Sequence, residues 1–408
     1  MTYYELKKIL PTKRFVVVLA VLAVLLSVVL YAIIQENHCV DENGERFTGF
    51  AAIAKVREDK KEWAGALTEQ QLRKIIENHI RVSQTPQAQS DDYRQNNIAY
   101  GWERGYSDVR SLMAFAYSGF NDYNYYAIDT LRPEDAANFY SNRIKSLEEW
   151  LNTDAKNQFT EKEREYLLNN YKTLKTPFYY DYQGGWKSLL EYAPAVNMIV
   201  TFVLCFLCAG IFASEFQQKS SAVLYASCYG RDRAVAAKIK AGLILVSVLY
   251  WAVMLLYTAL VLTILGADGA HCPIQAYFTN WKSLYHITNL QEYILTAAGG
   301  YIGCLFMALL TMLVSAKINS AVLAVIVPFV LIFLPAFLGD ISLPVFTRVM
   351  GLMPDQLLQI NQAVKLFSIY ELGGHITLAV PILLTLYAAL SVLLIRIIYS
   401  TYRKKQVY

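Results

Sequence analysis

Apolar residues fall along this chain in six blocks, each long enough to cross a bilayer, and the blocks are very unevenly spaced. The first, Phe15–Ile34, stands alone near the N-terminus. A polar stretch of roughly 155 residues follows, and the other five are crowded into the second half: Ala193–Ala213, Ala241–Leu265, Ile294–Ser315, Ala321–Leu338 and Ile376–Ile395. About 20 helical residues rise through the ~30 Å hydrocarbon core, and the fifth block only just reaches that length. The pattern predicts an all-α polytopic membrane protein with six transmembrane helices.

Within these spans as drawn there is no Asp, Glu, Lys, Arg or His. Ion-coupled carriers place ionisable groups at membrane depth to bind the coupling ion, so the pattern disfavours a carrier. The first span reads as a retained anchor. Its run of about 20 apolar residues is longer than the 7–15 of a signal peptide, and no small-x-small cleavage site follows it.

The sidedness of charge sets the orientation. Lys7, Lys8, Lys13, Arg14, Lys219, Arg231, Arg233, Lys238, Lys240, Lys317, Arg396, Arg403, Lys404 and Lys405 would share one face with only Glu5, Glu215 and Asp232. The short loops of the other face hold Lys282, Arg348 and Lys365. Both termini, segment 1–14 and tail 396–408, are therefore expected in the cytoplasm, as an even number of spans also requires. The net charge of +4 hides this split and points to no nucleic-acid partner.

Segment 35–192 is then extracellular and reads as a folded, mainly helical domain. Thr68-x-x-Gln71 and Thr160-x-x-Glu163 have the form of capping boxes ahead of apolar residues at helical spacing. Pro133 stands where a first-turn proline belongs, before Ala136, Phe139, Tyr140, Ile144, Leu147 and Leu151. The segment is large enough to bury its own core. Its many tyrosines suit an amphipathic core and rim, with a peptide- or glycan-binding surface as the alternative.

No phosphate-binding loop, H-E-x-x-H or G-x-S-x-G occurs, so the chain has no catalytic signature and energy for uphill transport must come from another polypeptide. The most specific local signal is the loop 216–238 with its approach. Gly210-Ile-Phe-Ala-Ser-Glu215 leads through Ser220-Ser221 and the apolar pair Val223-Leu224 to Gly230-Arg231 and Lys238. Physically it is either a knob offered to a soluble partner or an ordinary basic loop returning the chain to the membrane.

This stretch resembles permease subunits of the ABC type-2 transporter family, at Phe212, Glu215, Ser220, Ser221, Leu224, Gly230, Arg231 and Lys238. The leading Tyr4-Glu5-Leu6-Lys7-Lys8 and the Pro177–Trp186 approach to the second span are similar too. The Gly-Thr common after the glutamate is Ser220-Ser221 here. The resemblance implies a type V exporter fold and a second permease copy or homologue. It also implies a separate ATPase subunit, binding ATP and Mg, that docks on 216–238 as a coupling helix. Glu215, Val223, Leu224, Gly230, Arg231 and Lys238 would carry that coupling, and 343–373 would form short re-entrant helices at the outer mouth.

Cys39 and Cys272 both fall just beyond span ends, each after a histidine. A disulfide, two free thiols and a two-His, two-Cys metal site all remain open. Gly299-x-x-x-Gly303 permits close helix packing, within the subunit or between subunits. Tyr3–Leu10 suits an interfacial helix with Lys7 and Lys8 toward lipid headgroups.

The reading is a permease of an ATP-driven exporter in a bacterial plasma membrane. It is not itself an enzyme, and it moves a peptide, lipid-like or antimicrobial substrate. The alternative is a non-transporting sensor or assembly factor that binds a ligand through its extracellular domain.

Overall fold

The computed structural model describes residues 1–218, 229–230, 232–338 and 344–404, and most of these are helical. A short helix α1 (Thr2–Ile9) precedes α2 (Lys13–Glu36). Thr12 caps α2 by accepting a hydrogen bond from the Phe15 amide at 3.2 Å. A small hairpin, β1 (His38–Val40) with β2 (Arg46–Thr48), leads into the polar domain. That domain contains α3 (Gly49–Lys61), α4 (Glu69–Ser83), α5 (Tyr93–Glu103), α6 (Ser107–Ala116), α7 (Phe139–Asn152) and α8 (Glu161–Lys172). A two-residue ladder, β3 (Gly65–Ala66) with β4 (Tyr179–Tyr180), closes it.

Thr160 and Glu163 form the reciprocal box before α8, whereas at α4 Thr68 accepts from the Gln71 amide at 3.3 Å. Pro133 does not open one long helix. The Asp135 carboxylate accepts from the Arg132 amide and tightens residues 133–138 into a 3₁₀ turn, and α7 starts at Phe139.

The bundle follows as α9 (Gly184–Gln217), α10 (Arg233–Leu265), α11 (Asn289–Ile318) and α12 (Ala321–Leu338). The short helices α13 (Pro344–Met350), α14 (Asp355–Leu358) and α15 (Ile360–Lys365) come next. A hairpin, β5 (Ile369–Leu372) with β6 (His375–Leu378), precedes the last helix, α16 (Ala379–Arg403). Among the described residues five helices, α2, α9, α10, α11 and α16, are long and apolar enough to cross a membrane, and α12 is a shorter apolar helix.

Helix ends differ from the spans drawn on hydropathy. Ile376–Leu378 belong to a strand, because Gly373 and Gly374 both take positive φ and turn the chain back on itself. The helix beyond then runs on to Arg403. At α11 a Thr288–Gln291 capping box starts the helix five residues before the apolar block. The longer helices therefore contain ionisable residues near their ends. Glu292 is one of them, fully buried in the first turn of α11 and accepting from Asn280 at 3.2 Å.

Helix α11 is the hub of the bundle, touching α9, α10, α12, α14, α15 and α16. Its glycines make this possible. A Cβ on Gly299 would stand 2.3 Å from Ile360 Cγ1, and one on Gly303 2.9 Å from Leu357 Cβ. The Gly-x-x-x-Gly pair thus seats the short helices α14 and α15 of the same subunit. Asn197 on α9 donates to the Leu358 carbonyl (2.9 Å), and Asn361 donates to the Leu190 carbonyl (2.7 Å). Both side chains are buried, so these bonds fix the short helices against α9.

The polar domain does not close its core alone. Trp281 and Ala276, from the α10–α11 connection, sit in the core built by Leu72, Ile75, Leu112, Met113 and Phe139. Leu284 and Ile369 complete the core of α7 and α8. Arg143 stacks on Tyr171 at 3.6 Å and donates to the Trp281 and Ser283 carbonyls. The chain boundary near residue 192 is therefore not a packing boundary.

Cys39 and Cys272 are unbridged, buried thiols. Cys39 pairs with Phe47 in the first hairpin, while Cys272 is held between Gly269 and Asn289 in the α10–α11 connection, so a disulfide between them is not formed.

A buried charge cluster ties four pieces of the polar domain together. His79 of α4 lies between Glu103 of α5 (Nδ1 to Oε1, 2.5 Å) and Asp129 of the 125–130 turn (Nε2 to Oδ1, 2.7 Å). Arg110 of α6 pairs with the other Glu103 oxygen at 3.2 Å, and the Tyr106 hydroxyl lies 3.4 Å from Glu103. Burial alone would lower the imidazole pKa. The bonds and charges of Glu103, then Asp129, outweigh burial and the opposing Arg110, so it ends above its ordinary 6.5. A raised folded value means the stabilisation is complete below pH 6.5 and is lost as pH rises through the raised value. Amide protection across α4, α5 and residues 125–130 of the full chain, corrected for intrinsic exchange, should therefore fall on going from below pH 6.5 to alkaline pH. His79→Gln should flatten that dependence. An unchanged slope in His79→Gln would assign it to another group.

Candidate functional site

At the end of the bundle that carries both termini, four helices converge on one buried lysine. Lys238, in the second turn of α10, is 1% exposed. Its ammonium has three donors, and three acceptors surround it: Glu215 Oε1 at 2.7 Å, the Ile211 carbonyl at 2.9 Å and Glu5 Oε2 at 3.2 Å. Glu215, in the last turn of α9, also accepts from the Tyr402 hydroxyl of α16 at 2.9 Å and lies 3.5 Å from Lys8. Lys8 in turn pairs with Glu5 at 2.8 Å. Phe212 packs beneath the group, 5.8 Å from the ammonium and 4.9 Å from the Tyr402 ring.

Among the described residues the charges balance, two lysines against two glutamates. Balance is required because an unpaired charge in this setting costs several kcal/mol. A carboxylate in the last turn of α9 also meets the negative end of its own helix, so position alone would disfavour Glu215. Lys238 supplies the compensation. Glu5, on α1, is pushed up by burial, but the Lys238 and Lys8 charges pull it below its ordinary value.

The network holds α1 against the bundle. Leu6 and Ile9 of α1 pack onto the apolar core while Glu5 and Lys8 reach the ion cluster. Lys8 thus points to protein carboxylates and not only to the headgroups expected for it. Chemically the site can fasten and transmit. It gathers no nucleophile, and no group of three His, Cys, Asp or Glu suited to a metal forms among the described residues.

The family model described as ABC-2 family transporter protein matches residues 3–399, nearly the whole chain. The chain belongs to the ABC-2 transporter family. It is thus a multi-pass membrane protein, the permease type of subunit of an ABC transporter, and its family implies association with an ABC ATPase subunit. No curated protein and no solved structure matches it.

Of the residues singled out on family pattern, the permease brings Glu215 and Lys238 into direct contact at the base of the loop. Gly230 is buried in the turn before α10, where Arg233 stacks on Tyr229 at 4.1 Å. Val223, Leu224 and Arg231 lie outside the described residues. Glu215 and Lys238 are too buried to present a docking surface, so any part they play in coupling is to hold the loop's two ends together.

Sequence reasoning missed Glu5 and Tyr402 as members of this site. A signal for Tyr402 was present: the inward stripe of α16 continues at helical spacing through Leu394, Ile398 and Tyr402, beyond the apolar block.

Removing one partner of this cluster should be far worse than removing the pair. Lys238→Met leaves Glu5 and Glu215 with only the half-exposed Lys8 between them, one carboxylate in excess, and should destabilise the permease by about 3–5 kcal/mol. Adding Glu215→Gln to Lys238→Met should recover part of that loss. Thermal unfolding in detergent, followed by size-exclusion chromatography, reads both effects. A Lys238→Met permease as stable as the wild type would show that the cluster does not hold this end together.

Proposed function

We propose that this permease is one membrane half of an ATP-driven exporter. Six helices cross the bilayer, with α12 the shortest. Its 18 residues rise roughly 27 Å, against a ~30 Å hydrocarbon core. The positive-inside rule puts both termini and the 216–238 loop in the cytoplasm and the polar domain 35–192 outside the cell. A second permease copy or a homologue completes the pathway. ATP and Mg²⁺ are bound by the partner ATPase subunits, which dock on the loop through Val223, Leu224 and Arg231.

The observation that carries this reading is the ion lock between the two ends of that loop. With Glu215 and Lys238 joined at 2.7 Å, a push on the intervening residues is not absorbed by the helix ends sliding apart. It passes to α9 and α10 together, and through Glu5 and Tyr402 to α1 and α16. On the far face, the polar domain shares cores with the α10–α11 connection and with the hairpin before α16. Motion of these helices therefore reaches the outer domain without a flexible linker. This arrangement suits gating or receipt of a substrate leaving outward, whether a peptide, a lipid-like molecule or an antimicrobial.

Leu224→Asp should abolish stoichiometric co-purification of the ATPase subunit from native membranes, because it puts a charge where an apolar anchor is needed. Arg231→Glu should weaken it less. The exposed Lys156→Glu on the polar domain should leave it intact. Wild-type ATPase binding and transport in Leu224→Asp would reduce the loop to a simple connection. A native chain that purifies with no ATP-binding subunit would instead fit a sensor.

A further inference from the structure

A groove of about 1540 Å³ runs between the start of α2, the second half of α9 and the first half of α12. It exceeds the ~300–1,000 Å³ typical of small-molecule pockets. Its long walls are apolar and open to the surroundings: Phe206 is 53% exposed, Ile326 47% and Phe329 52%. Gly210 leaves the groove unobstructed on the α9 wall, since no described residue lies within 4 Å of where its Cβ would be.

One end of the groove is polar and positively charged. Glu5 and Glu215 border it there, but Lys8 and Lys238 already pair with both. Lys13 and Arg14 remain. Both line the groove, both are exposed, and neither pairs with an acid among the described residues. They occupy the first two positions of α2, where the positive end of the helix adds to their attraction for an anion.

A long apolar trough ending in two cations that no described acid compensates has the chemistry of a phospholipid seat. We propose that this groove binds one anionic phospholipid, with its phosphate against Lys13 and Arg14 and its acyl chain laid between α9 and α12. The lipid would come from the cytoplasmic leaflet, which rests on the topology proposed above; the binding itself does not. Basic residues at a membrane surface gain affinity specifically for anionic lipids, and apolar walls favour any acyl chain. The two halves of the groove therefore make separable contributions.

The test is native mass spectrometry of the delipidated full chain, titrated in one detergent with phosphatidylglycerol or phosphatidylcholine. The wild type should retain one phosphatidylglycerol per chain in clear preference to phosphatidylcholine. Lys13→Gln with Arg14→Gln should lose that preference by roughly tenfold or more. Val325→Trp, which fills the apolar trough, should weaken both lipids.

Equal retention of the two lipids by the wild type would overturn the proposal, as would an unchanged preference in the double variant. A photo-crosslinker at Val325 that captures a second copy of the chain and no lipid would also overturn it, by giving the groove to a dimer contact. Detergent micelles have no leaflets. A failure of lipid preference is therefore distinct from a failure of the proposed sidedness, which is read by labelling in intact cells.

Discussion

A lysine withdrawn from water must be fully paired, and the end of this molecule that carries both termini is organised around meeting that demand for Lys238. Its three donors reach α9, α10's neighbour in sequence, and α1, which is 233 residues away along the chain. Tyr402 brings in α16 through Glu215. Lys238, Glu215 and Glu5 are largely withdrawn from water and none is tolerable there alone, so they specify one another. The consequence is mechanical. Four helices that sequence separates widely are fastened where the 216–238 loop begins and ends.

The rest of the bundle carries that fastening outward. Helix α11 approaches its neighbours closely because Gly299 and Gly303 leave room for α14 and α15. Buried Asn197 and Asn361 then bond to backbone carbonyls between α9 and the same two short helices. In an apolar setting such bonds hold because the groups have nowhere else to donate. At the far end, Trp281, Leu284 and Ile369 are shared between bundle connections and the polar domain. Arg143 is clamped there between two aromatic rings and two carbonyls. Tension therefore has a continuous packed route between the two ends.

Much of this was legible in the sequence because a bilayer imposes length and hydropathy on whatever crosses it. Five of the six apolar blocks lie in helices long and apolar enough to cross a membrane, and Glu215 and Lys238 stand out by their pattern. What hydropathy does not encode is where a helix ends. Capping by Thr288 and Gln291 extends α11 past its apolar block, and the Gly373-Gly374 turn converts the start of the last block into a strand. Burial of charge was equally hidden. Charged residues beside a loop usually face water, and only partners 187 and 233 residues distant, Tyr402 and Glu5, make Glu215 and Lys238 stable inside. The autonomy expected of segment 35–192 failed for the same reason. Its missing core residues come from connections that lie beyond the bundle helices in sequence but pack against the domain in space.

The proposed function requires the ion-locked end and the polar domain to lie on opposite sides of the membrane, the first facing the ATPase. Single cysteines at Asn157, in the polar domain, and at Gln406, in the tail beyond α16, test this directly in an otherwise cysteine-free chain. In intact cells a membrane-impermeant maleimide should modify Asn157→Cys and leave Gln406→Cys untouched until the membrane is permeabilised. Labelling of Gln406→Cys in intact cells, or protection of Asn157→Cys, would contradict the account.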